Sequence, residues 1–111
     1  MKIKQDLVTN SSSTSFIITN TSDKEKTLED FVRETWSTIE PQITGEYGWE
    51  TTMEEALSCT GEYEYSFPPL SDTNCVFGDE DGNALGNIYD YVLRDGGKTK
   101  NFKWRFKEYF R

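Results

Sequence analysis

The chain has 111 residues, a formal net charge of −8, 34% apolar residues, and seven Phe, six Tyr and three Trp. A length near the usual domain size leaves room for one core rather than two, and the aromatic residues supply the large buried areas that disordered chains lack. No run approaches the roughly 20 apolar residues that cross a bilayer. Histidine is absent, which removes the usual general base, zinc ligand and partner of a nucleophile together.

Near the start, Ile3, Gln5 and Leu7 alternate with Lys2, Lys4 and Asp6, the pattern of a short extended segment. Residues 10–15 are hydroxyl and amide side chains that compete for the backbone's own hydrogen bonds, which predicts a turn or a flexible arm. Residues 1–15 therefore read as a polar leader and residues 16–111 as a single α+β domain. Phe16, Ile17, Ile18 and Thr19 form a β-branched run bounded by Asn20, a strand signal.

Thr27 and Asp30 have capping-box spacing, and Leu28, Phe31, Val32, Trp36 and Ile39 recur at helical intervals, predicting a helix over 28–39. Pro41 should end it near Ile39 unless the helix kinks and continues to Ile43. Gly45 and Gly48 mark a loop. Thr51 or Thr52, followed by Glu54 and Glu55, reads as the cap and first turn of a short helix through Ser58. Residues 62–67 alternate polar with aromatic, which predicts a half-buried strand with Tyr63, Tyr65 and Phe67 inward, stopped by Pro68 and Pro69.

Residues 74–77 form a second short strand candidate, and residues 79–83 a turn. Leu85, Ile88, Tyr89, Val92 and Leu93 predict a helix over 84–93, stopped by Gly96 and Gly97. Phe102, Trp104 and Phe106 then alternate with Lys103, Arg105 and Lys107, a strand with an aromatic and a cationic face. These elements imply an α+β fold: a small antiparallel or mixed sheet with two to three helices packed on one face.

Nothing in the chain names a reaction. It carries no GxGxxG, GxxxxGK[ST] or GxSxG motif, so no catalytic residue and no cofactor is expected and the protein is read as a non-enzyme. Cys59 and Cys75 form no CxxC pair and cannot build a four-thiolate zinc site. They are expected to be reduced, buried thiols. Asp79, Asp81, Asn83 and Asp90 fall at ligand spacings of a calcium-binding EF loop, but the required sixth-position glycine is Ala84 and the twelfth-position Glu is replaced by the shorter Asp90. The favoured reading is an acidic turn that caps the following helix.

Charge is segregated along the chain. From Glu40 to Asp95 there are thirteen acidic residues and one basic residue, Arg94, whereas from Lys98 to Arg111 six Lys/Arg stand against Glu108 alone. A surface so depleted in compensating base attracts a strongly basic partner and repels nucleic acid. The cationic C-terminal strand reads as structural rather than as a nucleic-acid platform, because rings and charges at period two face opposite sides.

The stretch from Lys2 to Phe16 resembles a leader found on many small, mostly uncharacterised phage and bacterial proteins, with the pattern basic-Gln-Gly-Phe-Val-Ser-Asn, a serine run and Phe. Asp6 and Leu7 stand in place of Gly-Phe, and Thr9 and Thr14 are conservative changes. The resemblance covers about sixteen residues and implies provenance from a phage or mobile element. It transfers no catalytic residue.

Segregated charge, small size and this leader lead to the expectation of a cytoplasmic inhibitor in the host bacterial cell. In the manner of anti-CRISPR proteins, it would block a basic nucleic-acid-binding host protein, with carboxylates imitating backbone phosphates. No direct contact with nucleic acid or membrane is expected. The residues expected to bind the partner are Glu54, Glu55, Asp79, Glu80 and Asp81, followed by Glu46, Glu50, Glu62 and Glu64. The alternative is a structural or accessory phage protein that self-associates through Tyr47, Trp49 and Phe110, its acidic surface serving only solubility.

Overall fold

The computed structural model describes residues 13–46, 50–78 and 81–110. In chain order the strands and α-helices are β1 (Ser13–Asn20), β2 (Lys26–Thr27), α1 (Leu28–Pro41), α2 (Met53–Ser58), β3 (Ser66–Phe67), β4 (Ser71–Gly78), α3 (Ala84–Val92), β5 (Gly97–Lys98) and β6 (Phe102–Phe110). A π-turn over Gln42–Glu46 follows α1, and a 3₁₀ turn over Thr60–Glu62 follows α2. The described residues form an antiparallel four-stranded sheet of order β4-β1-β6-β5 and a small two-stranded sheet of β2 and β3. The fold is α+β.

Register explains the core. Phe16 lies opposite Cys75 on one side and Phe106 on the other, and Ile18 lies opposite Trp104, so the apolar side chains of three strands share one face. Helices α1 and α3 cover that face. Phe31 of α1 places its ring edge-on to Phe102 and Trp104 of β6 at 5.0 and 5.6 Å and to Tyr89 of α3 at 5.7 Å. Tyr89 in turn meets Phe77 of β4 at 5.2 Å. Each such pair adds about 0.5–1.5 kcal/mol beyond the area it buries, so the aromatics compensate for a thin supply of aliphatic residues.

Helix α1 begins at the expected capping box: Thr27 Oγ1 accepts from the Asp30 N–H and the Asp30 carboxylate accepts from the Thr27 N–H. Its apolar stripe is buried as the spacing predicts. Pro41 does not end the helical path; the chain continues to Ile43, widening into the π-turn, which brings Ile43 into the core with no exposed surface. Helix α3 ends at Val92 with Leu93 as its cap, and Gly96 adopts φ +73° in the turn beyond.

Three expectations need correction. Ser13, Thr14 and Ser15 are not in a turn or arm; they open the central strand and are buried. Their polar groups have partners there: the Thr14 hydroxyl donates to the Asp90 carboxylate and Ser15 Oγ donates to Asn74 Oδ1 at 2.9 Å. The rest of the leader, residues 1–12 with the extended segment expected there, lies outside the described residues. The strand expected over 62–67 pairs only at Ser66 and Phe67, although burial still alternates, with Tyr63, Tyr65 and Phe67 inward. The strand expected over 74–77 runs instead from Ser71 to Gly78, because β1 offers a partner along its whole length.

In β6 the alternation of rings and cations holds through Phe106, then a bulge leaves Lys107 as an extra residue between the pairings Phe16–Phe106 and Ser15–Glu108. The extra residue returns Tyr109 to the core side, its ring 4.9 Å from Phe106. There the Arg94 guanidinium lies between the rings of Tyr91 and Tyr109, at 4.4 and 4.7 Å. Its Nη2 donates to Asp90 Oδ1 at 3.0 Å and its Nε to the Asp90 carbonyl at 2.6 Å. The one base of the acidic half is thereby committed to the fold.

Candidate partner-binding surface

In the acidic half some carboxylates hold turns and others face solvent. Helix α2 starts at a second capping box, in which Thr52 Oγ1 accepts from the Glu55 N–H and Glu55 Oε1 accepts from the Thr52 N–H at 3.0 Å. Glu54, beside it in the first turn, is exposed. Ala56 anchors the helix in the core with no exposed surface. The 3₁₀ turn then carries the chain to Glu62 and Glu64, which point outward while Tyr63 and Tyr65 between and beside them point inward.

The two tyrosines are stacked with centroids 5.8 Å apart and an interplanar angle of 20°. Tyr63 Oη donates to Asp81 Oδ2 at 2.6 Å, and the same oxygen accepts the Gly78 N–H at 3.1 Å. Asn83 caps α3 by accepting from the Gly86 N–H at 2.8 Å, and its amide donates to Glu62 Oε1 at 3.3 Å. A cleft of about 250 Å³ lies among Tyr63, Tyr65, Glu62, Asp81 and Asn83. Burial raises the Tyr63 phenol far above its ordinary range, and its bond to the Asp81 carboxylate adds to the shift. Burial also raises Tyr65. Both phenols therefore stay protonated as donors through any ordinary pH.

The candidate residues fall into distinct groups. Glu55 and Asp81 are spent on the fold, one in a capping box and the other in the turn before α3. Glu50, Glu54, Glu62 and Glu64 are exposed. Asp79 and Glu80 lie outside the described residues, as does the side chain of Glu46. Of the residues named for self-association, Tyr47, Trp49 and the Phe110 side chain also lie outside them. The structure brings Glu62 and Asp81 together through Asn83 and Tyr63.

Few charges of the described residues are paired internally. The ion pairs among the described residues are Arg33–Glu29 at 3.7 Å and Arg94–Asp90 at 3.0 Å, each within one helix. None joins the acidic half to Lys103, Arg105 or Lys107, whose side chains reach solvent. No group of three or more Cys, Asp or Glu among the described residues is arranged to hold a metal ion. Asp90 is buried against Thr14 and Arg94, away from the role the calcium spacing would give it. Cys59 and Cys75 are free, buried thiols, and burial pushes the Cys75 thiol up to about 12. No described helix is long and apolar enough to cross a membrane.

Sequence reasoning placed the tyrosines inward but missed what their hydroxyls do. It also missed Gly86, where a Cβ would stand 2.6 Å from Asp81 Oδ2 and 2.8 Å from both Tyr63 Oη and the Gly78 carbonyl. A glycine in the first turn of a predicted helix, where alanine is intrinsically better, is the one signal that pointed there. Compared with known proteins, the chain matches no family model, no curated protein and no solved structure.

Proposed function

We propose that this protein is a phage or mobile-element inhibitor that occupies the nucleic-acid-binding groove of a basic host protein, its carboxylates standing where backbone phosphates would bind. The observation that carries this reading is that Glu50, Glu54, Glu62 and Glu64 are all exposed and none forms an ion pair within the described residues. A carboxylate without an internal cation retains its full attraction for an external one, and an excess of them raises the rate and specificity of encounter with a basic surface. The leader resemblance supports the provenance.

The test is the Glu50, Glu54, Glu62 and Glu64→Lys variant, compared with the unaltered protein in capture from bacterial lysate. The unaltered chain should retain a basic nucleic-acid-binding protein that DNA or RNA displaces, with retention falling steeply as salt rises. The variant, its fold checked by circular dichroism because Glu62 accepts from the amide of the α3 cap Asn83, should retain nothing. Retention that survives both charge reversal and salt would overturn the mimicry. Leu70, 71% exposed, favours the second reading, self-association through apolar contact, for which salt would strengthen rather than weaken binding.

A further inference from the structure

The sheet face opposite the helices carries a feature that the acidic surface does not use. Register places Thr19 of β1, Lys103 of β6 and Lys98 of β5 side by side in one row, and Ile17 beside Arg105 in the next. With Gly97 and Trp104 they line a groove of about 360 Å³. Lys98 stands directly opposite Lys103, an arrangement of like charges that disfavours strand pairing, and Arg105 adds a third cation on the same face. None of the three forms an ion pair with a described residue. Asp72, one strand beyond Thr19, accepts that threonine's hydroxyl at 2.5 Å and reaches none of them.

Gly97 and Trp104 form the helix side of the same edge. Trp104 is 5% exposed, and its Nε1 is the buried side-chain nitrogen or oxygen that finds no hydrogen-bond partner among the described residues. The indole lies against Gly97 so closely that a Cβ there would stand 2.5 Å from Cζ2 and 2.9 Å from Cε2, the carbon bonded to Nε1. Gly97 lies opposite Trp104 in register, so the indole fills the helix side of β5 where a side chain at 97 would stand, and the groove on the other side is left to Ile17, Thr19, Lys98, Lys103 and Arg105.

We propose that this groove binds a small phosphomonoester with an apolar or aromatic body. Lys98, Lys103 and Arg105 take the phosphate, and Ile17 and the aliphatic stems of the lysines receive the body. A compact anion fits where a nucleic-acid strand does not, because the net charge of −8 repels a long phosphate backbone while three local cations attract one phosphate group. The site is independent of the acidic surface and stands or falls apart from it.

The test is a titration of the full-length ¹⁵N-labelled chain at low ionic strength with adenosine monophosphate, adenosine and inorganic phosphate in parallel. Adenosine monophosphate should give saturable shifts in the amides of Gly97, Lys98 and Lys103 to Arg105. Inorganic phosphate should bind at the same amides at least tenfold more weakly, and adenosine should leave them unmoved. Lys103→Glu and Arg105→Glu, both at exposed positions, should each weaken binding at least tenfold, whereas Glu25→Gln, also exposed, should not change it. The proposal is overturned if the nucleotide moves none of these resonances at millimolar concentration, if adenosine moves them equally, or if Lys103→Glu, folded by its thermal transition, binds as tightly as the unaltered chain.

Discussion

Residues Ser13 to Ser15 and residues Tyr63 to Tyr65 both lie against β4, but they are held there by different means. The first three belong to the central strand, with β4 on one side and β6 on the other. Tyr63 to Tyr65 pair with no strand; instead Tyr65 Oη donates to the Val76 carbonyl at 3.2 Å and accepts the Val76 N–H at 2.8 Å. One phenol thus does for the outer edge of β4 what a neighbouring backbone would otherwise do. The difference teaches that a strand is decided by what lies beside it: polar residues with partners on both sides are buried, and alternating aromatics whose hydroxyls reach the edge first need no ladder.

Proline separates the two kinds of attachment most sharply. Ser15→Pro removes a donor and crowds a strand paired on both sides, and should cost at least about 3 kcal/mol. Glu64→Pro falls outside any ladder, after Tyr63, whose φ −120° and ψ 152° tolerate a following proline. It should cost less than about 1 kcal/mol. Urea unfolding of the two variants measures both, and equal losses would show that residues 63–65 depend on backbone pairing after all.

The phenol itself is the next target. Tyr65→Phe keeps the ring against Phe77, 5.9 Å away, but leaves the Val76 N–H and carbonyl without their partner at a sheet edge. A loss of about 1–2 kcal/mol is expected, together with concentration-dependent association, because an uncovered edge strand recruits other strands. Light scattering reads the second effect; a variant that stays monomeric would mean that Tyr65 does not protect the edge.

Why the sequence was legible in some places and not in others follows from the same contrast. Helices α1, α2 and α3 could be read because their caps are local: Thr27 with Asp30, Thr52 with Glu55, and Asn83 with the Gly86 N–H all lie within three residues of one another. The cationic and aromatic faces of β6 were legible through Phe106 because period two needs no knowledge of neighbours, and the bulge at Lys107 was not, because it depends on register with β1. The buried polar residues were illegible for the same reason. Thr14 finds Asp90 and Ser15 finds Asn74 across long sequence separations, and composition alone assigns such residues to loops. In the acidic half, sequence identified the charges but could not divide Glu55 and Asp81, which hold turns, from Glu54, Glu62 and Glu64, which face solvent.

A third segment closed by a side chain titrates. Glu34 of α1 accepts the Thr99 hydroxyl and the Asn101 N–H, both at 2.6 Å, and the Asn101 side-chain amide at 3.0 Å. Burial works to raise its pKa, and the hydrogen bonds from Thr99 and Asn101 outweigh it, so the carboxyl titrates below its ordinary range. A depressed folded pKa contributes stability above the unfolded value that is lost as pH falls through the folded one. The loop between β5 and β6 should therefore loosen on acidification below the ordinary carboxylate range. Glu34→Gln should lower stability at neutral pH and flatten that acid limb; an unchanged limb would remove Glu34 from the acid response.

The smallest effect is expected in the turn that follows the tyrosine segment, and it should be a gain. Leu70 holds φ 54° with 71% of its surface exposed, its N–H donating to the Ser22 carbonyl at 3.1 Å. A left-handed conformation costs a residue with a Cβ about 1–2 kcal/mol, and glycine's greater freedom in the unfolded chain takes back about 0.5–1 kcal/mol. Leu70→Gly should therefore raise stability by a few tenths to about 1 kcal/mol, visible as a higher thermal midpoint. A lower midpoint would mean that the leucine supports the fold. If the midpoint rises while capture of a partner, or self-association, is lost, then the strained and exposed Leu70 serves contact with another molecule, and the attachment of residues 63–65 by side chains rather than by a ladder is what leaves this turn free to present it.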